Sequence, residues 1–526
     1  MLKHIKSKRL PILTTVLTAS LLLSSCDNGF EELNTNPNAL TDPVIPNLFS
    51  FSVVKTAGTG YENHRGNLIY AGALVQHFAS LTTYWSGDKY LYNAPYSDAF
   101  FETAYGAHVK ELEQIISLTK DVPEQSNLYN VARIFRVFGY HRITDLYGDV
   151  PYTEAAKGFL GGIYSPKYDK QADIYADMLN ELDQAAQALN PSKTTYESAD
   201  ILYGGDVTKW KKFAYSLMLR LGMRLTKVDP AKAEQFVKKA IAGGVMQSND
   251  DLAKVNHAEG DDNKRNLDSN TLRTQEYDAA NLKGKANSKL SETFVNFLKN
   301  NNDPRLPFIA TTWEGNADPT KEAASTTPAK QKGLPNGYDA TTIKTLIPAW
   351  NDNSLTEYSE ANLNKIAGNG APTVFQSYAE VEFLLAEAAL RGWGDGKTAE
   401  HYNKGVTAAM KMMSLYGGTI SDAAITAYLT AHPFVAGTQA QQLEQIATQY
   451  WAVNFLNSYE AYANWRRTGY PVLKPTNYPG NDTGGVIPRR LRYPASEASK
   501  NAAQYNAAVA AQGPDLLTTR VWWDKQ

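Results

Sequence analysis

VARIFRVFGYHRITDLYGDVP, residues 131–151, decides the fold class. Val131, Ile134, Phe135 and Phe138 recur at spacings of three and four, which places them on one face of a helix. Gly148 and Pro151 then stop that helix. The pattern returns after a short gap in Ile174, Met178, Leu182, Ala185 and Leu189, ending before Pro191, so the two segments form a helical hairpin.

Working outward, Trp210, Phe213, Leu217 and Leu221 repeat the spacing. Asp229-Pro230 supplies an N-cap and an N1 proline for a partner helix that reaches Ile241 before Gly243. A third pair follows: Val381, Leu384, Leu385 and Ala388 end at Gly392, then Tyr402, Val406, Ala409 and Met413 continue. One further helix fits Leu443, Ile446, Ala447 and Tyr450, with Arg466 and Arg467 near its C-terminal end, where cations suit the helix dipole. The chain therefore reads as all-α, a scaffold of antiparallel helix pairs of tetratricopeptide-like form, although the 34-residue consensus of that repeat is not visible.

Between Gly243 and Thr373 the texture changes, because Asn, Asp, Gly and Pro interrupt the pattern, and only Phe294 to Leu298 suggests a helix. This stretch reads as a loop-rich, partly stranded insertion, the kind of segment that carries binding sites on a rigid scaffold. Residues Tyr470 to Gln526 are again rich in Pro and Gly and are expected to wrap the helical body.

The N-terminus carries a different message. Lys3, Lys6, Lys8 and Arg9 precede an apolar run from Leu10 to Leu23, too short for a span of about 20 residues but matching a secretory signal. Leu23-Ser24-Ser25-Cys26 follows, the pattern of bacterial lipoprotein processing, and Cys26 is the only cysteine of the 526 residues. Lipidation at Cys26, a palmitate-type acyl anchor, is thus the expected role of that residue. Disulfides and cysteine-based chemistry are excluded elsewhere. The signal holds four of the 52 basic residues and none of the 54 acidic ones, so the mature protein is mildly acidic, which argues against nucleic acid as a partner. Asp27 to Pro46 reads as a polar tether and arm.

Recognisable catalytic chemistry is missing. The eight histidines lie at least 13 residues apart, so no helical His pair for zinc exists, and neither G-x-S-x-G nor G-x-G-x-x-G occurs. Gly396-Lys397-Thr398 resembles the end of a phosphate-binding loop, but Gly392 is one residue too close and follows a helix. A C-cap, a turn and a new helix start account for it. Glu259, Asp261, Asp262 and Asp268 could supply a carboxylate pair or a calcium site, or form a solvated loop. No glycine falls at the sixth position of an EF-hand loop. No cofactor is implied.

Aromatic residues are abundant instead: 31 Tyr, 18 Phe and 9 Trp. The excess of Tyr points to rings with one wet end. Tyr84, Trp85, Tyr90, Tyr92 and Tyr96 cluster without helical spacing, and Trp313, Tyr338, Trp350 and Tyr358 lie in the insertion. Such rings serve either as stacking platforms for sugars and peptide side chains or as packing between loops and core.

Along most of its mature length the sequence resembles the SusD/RagB-like nutrient-binding outer-membrane lipoproteins of the Bacteroidetes. The resemblance rests on Asn34-Thr35-Asn36-Pro37-Asn38-Ala39, on Asp145-Leu146-Tyr147-Gly148-Asp149-Val150-Pro151-Tyr152 after Arg133 to Arg142, and on Ile174-Tyr175. It continues through Gly205-Asp206-Val207-Thr208-Lys209-Trp210, Leu217 to Arg224, Asp303-Pro304-Arg305-Leu306-Pro307, and Tyr378-Ala379-Glu380-Val381 to Ala386-Glu387-Ala388. Trp465-Arg466-Arg467-Thr468-Gly469-Tyr470-Pro471 and Pro488-Arg489-Arg490-Leu491-Arg492-Tyr493-Pro494 complete it.

The resemblance implies a SusD-like helical body that acts as the lid of a SusC-like TonB-dependent outer-membrane barrel. The lid would capture oligosaccharide, or in some members peptide, for import without cleaving it. It also implies a lipid-anchored protein of the outer membrane facing the cell exterior, for which Asp27, Glu31 and Glu32 fit the acidic export signal. No family motif fixes the ligand residues. Only the placement of aromatics carries over, onto Trp85 with Tyr92 in the early loop and onto Trp313, Tyr338 and Trp350 in the insertion. Arg466 and Arg467 are expected to brace a core carboxylate or a helix end.

The expected organisation is a signal peptide over 1–25, a lipidated tether over 26–46 and one SusD-like domain over 47–526, with the insertion at about 243–375. A peptide-binding surface lipoprotein is the nearest alternative. A surface glycoside hydrolase would need a facing carboxylate pair, and a purely structural lipoprotein would lack a concave aromatic patch.

Overall fold

The helix read from residues 131–151 is the longest of the described protein, α4 below, and every side chain from Asn130 to Tyr147 on it is buried. Its Phe135 and Phe138 rings stack 5.6 Å apart at the centre of the body. The computed structural model describes residues 44–261, 264–274, 286–313, 325–351 and 354–525. Cys26, Asp27, Glu31, Glu32 and the rest of the tether up to residue 43, and Asp262, lie outside the described residues.

In chain order the principal helices are α1 (Ile45–Ala57), α2 (Ala94–Thr103), α3 (Lys110–Thr119), α4 (Ser126–Tyr147), α5 (Gln171–Ala188), α6 (Val207–Arg224), α7 (Pro230–Gly243) and α8 (Leu267–Thr274). They continue as α9 (Glu292–Asn300), α10 (Tyr378–Leu390), α11 (Thr398–Lys411), α12 (Asp422–Ala431), α13 (Gln439–Val453), α14 (Ser458–Thr468) and α15 (Ala502–Gln512). Helix α4 packs on α5, α5 on α6, α6 on α7, and α10 on α11, so all three hairpins read from the sequence are present, in an all-α, tetratricopeptide-like arrangement. The caps are those the sequence carries: Asp229 accepts from the Lys232 amide beside Pro230, and Thr438 with Gln441 closes a capping box on α13. Gly392 (φ +77°) terminates α10 and Thr398 begins α11, so the Gly396-Lys397-Thr398 stretch is a turn between helices.

Among the described residues strands occur only as short antiparallel pairs. Phe78–Ala79 pairs with Lys289–Leu290, Val150–Pro151 with Tyr168–Asp169, Ala253–Val255 with Thr373–Gln376, and Ala310–Thr311 with Glu360–Ala361. Three of the four pairs tie the 243–375 stretch to itself or to the early loop, the partly stranded character expected there. Helix α8 was not expected, since its eight residues carry only Leu267 and Leu272 as large apolar side chains.

The expected single helix through Leu443 and Arg467 is two. Leu456 adopts φ +69° between α13 and α14, a left-handed turn that a continuous helix cannot contain. Asn67 satisfies the broken backbone, accepting from the Ser458 amide (2.9 Å) and donating to the Leu456 carbonyl (2.8 Å).

Between the helix pairs the core holds a lattice of buried ion pairs. Arg220 on α6 grips Glu380 on α10 at 2.7 and 2.9 Å, and Arg224 reaches Glu460 on α14 at 2.6 Å. Arg467 makes a bidentate pair with Glu387 at 2.7 and 2.6 Å, the core carboxylate that the sequence predicts for it. Burial would raise the Glu387 carboxyl, but Arg467 and Arg391 hold it down at about 2. The C-terminal stretch wraps the body as expected: Trp523 is fully buried and donates to Asp145 on α4 (3.0 Å), and Leu491 donates its amide to the Leu146 carbonyl. Among the described residues no helix is long and apolar enough to cross a membrane.

Candidate functional site

Directly after α1, residues Asn63–Gly72 wind as a π-helix, a form rare at this length and often found at functional sites. His64 and Arg65 from its first turn, and Tyr61 from the short α-helical turn Gly60–Glu62 just before it, line a cavity of about 620 Å³. Tyr84 enters from the early loop, Tyr96 from α2, Asn270 and Thr271 from α8, and Asn287 from the start of the Lys289–Leu290 strand. The site is thus assembled from segments more than 200 residues apart. Its volume lies within the range of small-molecule clefts, roughly 300–1,000 Å³.

Tyr61 is 57 % exposed, an unusual position for a ring. The Arg65 guanidinium covers one side of it and also lies 4.8 Å from the Tyr96 centroid, a cation held between two π-faces. Burial lowers the Arg65 pKa and Tyr96 opposes that shift. Asn287 donates to the Tyr84 hydroxyl at 3.2 Å, which orients both groups at the rim. The lining therefore offers flat aromatic surface beside guanidinium, amide and hydroxyl groups, which can stack on a sugar face and hydrogen-bond its hydroxyls.

Beneath the cavity two acids are buried. Burial pushes the Glu62 carboxyl up to about 8 against the Tyr459 hydroxyl that donates to it at 2.9 Å. Burial likewise raises Asp268 to about 7, opposed by a hydrogen bond from Asn67 (3.1 Å). His108 lies 4.0 Å from Glu62, but burial drops its pKa to about 3, so at neutral pH the pair is largely uncharged. Glu62 adjoins the π-helix and Asp268 lies on α8, so these acids sit at the joint between two walls of the cavity.

None of the five aromatic residues expected from the sequence is among those lining this cavity, and of the five Tyr338 and Trp350 pack in one cluster. Trp85 is fully buried, with Phe78 (5.8 Å) and His64 (6.4 Å) against it, so it supports the loop from below and presents no open face. Gly87 explains this depth: a Cβ there would lie 2.1 Å from the Ile69 carbonyl, so glycine lets the loop seat directly on the π-helix. Trp313 is 6 % exposed and donates its indole N–H to Glu360 at 2.7 Å. Trp350 is 8 % exposed and packs with Tyr358, Leu334 and Ile343. Tyr92 is half-buried under Arg492 (4.1 Å), and its backbone N–H donates to Asp482. Tyr338 packs partly against the Trp350 cluster and lines a second cavity.

Tyr84 and Tyr96 of the aromatic cluster read from the sequence line this cavity, whereas Tyr61, Arg65, Asn270 and Asn287 were not singled out there. No periodic signal marks them. Of the acidic group, Glu259 accepts from the Gly370 amide (2.9 Å) while Asp268 is buried beside Asn67. Among the described residues no three His, Cys, Asp or Glu side chains gather as a metal site.

Residues 35–494 match a family model described as "Starch-binding associating with outer membrane", named SusD-like. No curated protein matches the chain. Among solved structures, one named a chitin-binding protein is 36 % identical with a TM-score of 0.80, covering 92 % of this chain and all of its own. A SusD-like protein from Bacteroidetes AC2a is 28 % identical with a TM-score of 0.79 over the same shares. A chitin-binding SusD homolog from Flavobacterium johnsoniae, 24 % identical, covers 92 % of this chain and 99 % of its own at a TM-score of 0.75, and shows the same fold.

Proposed function

The chain belongs to the SusD-like family, and from that membership we propose that it is a lipid-anchored surface protein that binds oligosaccharide at the Tyr61 cavity and hands it, uncleaved, to a SusC-like TonB-dependent barrel. The observation that carries this reading is the Tyr61 cavity itself. An exposed ring, two further tyrosines and a stacked arginine stand beside two amides, the combination that holds a polyol with apolar faces. Glycoside hydrolysis needs two carboxyl groups facing the scissile bond, whereas among the described residues the cavity lining is aromatic, amide, hydroxyl and cationic.

The most identical of the structures described above is named for chitin binding, which makes β-linked N-acetylglucosamine oligomers the first ligand class to test. Arg65, Asn270 and Asn287 suit the acetamido carbonyl of such a sugar as well as its hydroxyls. The signal sequence and the family support lipidation at Cys26 and an outer-membrane position facing outward as parts of this reading.

The test is calorimetric titration of the mature protein with chitohexaose, maltoheptaose and a peptide pool. Tyr61→Ala is expected to weaken binding of the preferred glycan by about 1–3 kcal/mol, roughly five- to 150-fold. Binding confined to the peptide pool would replace glycan by peptide, and accumulation of shortened oligomers would make the protein a hydrolase.

A further inference from the structure

A second cavity, of about 600 Å³, opens on the other flank of the same early loop. The loop joins the two: Tyr84 lines the first cavity, while Asp88 accepts from the Gly337 amide (3.4 Å) and offers its carbonyl to the Thr476 hydroxyl (2.9 Å), both residues of the second. Asn336 fixes the same wall by donating to the Phe78 carbonyl at 2.7 Å.

The second cavity has the composition of a carbohydrate groove. Tyr338 stands in it with its back against the Trp350 cluster, and the exposed apolar rings of Pro475 and Pro479 line the same space. Asn336, Asn477 and Thr345 supply amide and hydroxyl groups around them. One acid and one base, Glu292 and Lys474, balance in charge, which suits a neutral ligand. The site is rigidly built. Gly337 (φ +83°) approaches Thr476 so closely that a Cβ would lie 2.5 Å from it, and the neighbouring Asp339 is fixed by the Tyr478 hydroxyl at 2.7 Å.

We propose that the Tyr338 cavity is a second saccharide subsite, taking a neutral oligosaccharide of the same class as the Tyr61 cavity. The inference rests on the glycan-binding reading of this protein and extends it from one site to two. Tyr338 supplies the stacking face and Asn336 and Asn477 the polar edge. The two subsites share the early loop as their common wall, so one rigid segment positions both.

The experiment is calorimetric titration of the mature protein with chitohexaose, comparing wild type, Tyr61→Ala, Tyr338→Ala and the double variant. Because Tyr338 also packs on the core, Thr345→Trp serves as a second probe. It blocks the cavity from an exposed position without removing any packing. The expected result is two sites of comparable affinity for wild type, one such site for Tyr338→Ala and for Thr345→Trp, and, in the double variant, both sites weakened by roughly five- to 150-fold. Complete loss of binding in Tyr61→Ala alone, or a stoichiometry of one for wild type unchanged by Thr345→Trp, would overturn the second subsite while leaving the first intact. Absence of any saccharide binding by wild type would overturn both.

Discussion

Replacing Glu62 by Gln should make the protein more stable in neutral and mildly alkaline solution. Gln keeps an oxygen to accept from the Tyr459 hydroxyl but cannot ionise. In the folded chain the Glu62 carboxyl is raised from 4.5 to about 8, chiefly by burial. A raised carboxyl contributes its full stability below the unfolded value of 4.5, and that contribution is lost as pH climbs toward the folded value of about 8. At up to 1.36 kcal/mol per decade, the Gln variant should gain on wild type by about 3–4 kcal/mol between roughly pH 5 and pH 8. Urea unfolding of both proteins across that range measures the difference directly, and the comparison cancels every other titrating group that the substitution leaves undisturbed. Two stability profiles that run parallel would refute the reasoning, because they would mean that Glu62 ionises as easily in the folded chain as in the unfolded one.

Trp85→Ala should lower stability by about 3–5 kcal/mol, as for other buried large-to-small changes, and should lose ligand only in proportion to unfolding. Selective loss of binding with unchanged unfolding would return Trp85 to the ligand site. Glu387→Gln, which leaves Arg467 buried without its anion, should destabilise by about 3–5 kcal/mol in denaturant titration at neutral pH. Because Arg467 and Arg391 hold Glu387 near 2, the pair's contribution should be present above about 4.5 and vanish as pH falls through 2, so wild type and variant converge in acid. Cys26→Ala should give protein that takes up no labelled palmitate and leaves the membrane fraction, and mild detergent extraction of the native protein should bring a much larger β-barrel protein with it. Persistent label, or repeated extraction without a barrel, would count against the anchor and the partnership respectively.

The helical body was legible because its signals are local. The 3.6-residue stripe of α4, the Asp229-Pro230 start of α7 and the Gly392 stop of α10 each lie within a few residues of the structure they specify. The break at Leu456 was not, since Asn67, nearly 400 residues earlier, completes its hydrogen bonds. The site was half legible for a related reason. Aromatic density marked the early loop, but which ring is open depends on depth, and depth is set by Gly87 seating the loop on the π-helix. Trp85 went inward and Tyr84 stayed at the rim. Arg65 lies on a π-helix whose period matches neither an α-helix nor a strand, and Tyr61 on a three-residue turn before it that is too short to show a period, so periodicity could not single them out. In the insertion, Trp313 and Trp350 were claimed by Glu360 and by an apolar cluster, contacts that composition does not encode.

The central claim, that this protein holds a glycan at the Tyr61 cavity, is tested most directly by a crystal structure of the mature protein with bound chitohexaose. The account predicts a sugar ring stacked on Tyr61, with Arg65 and Asn287 within hydrogen-bond distance of its polar groups. Sugar bound in full occupancy elsewhere on the molecule, with the Tyr61 cavity filled only by solvent, would contradict it.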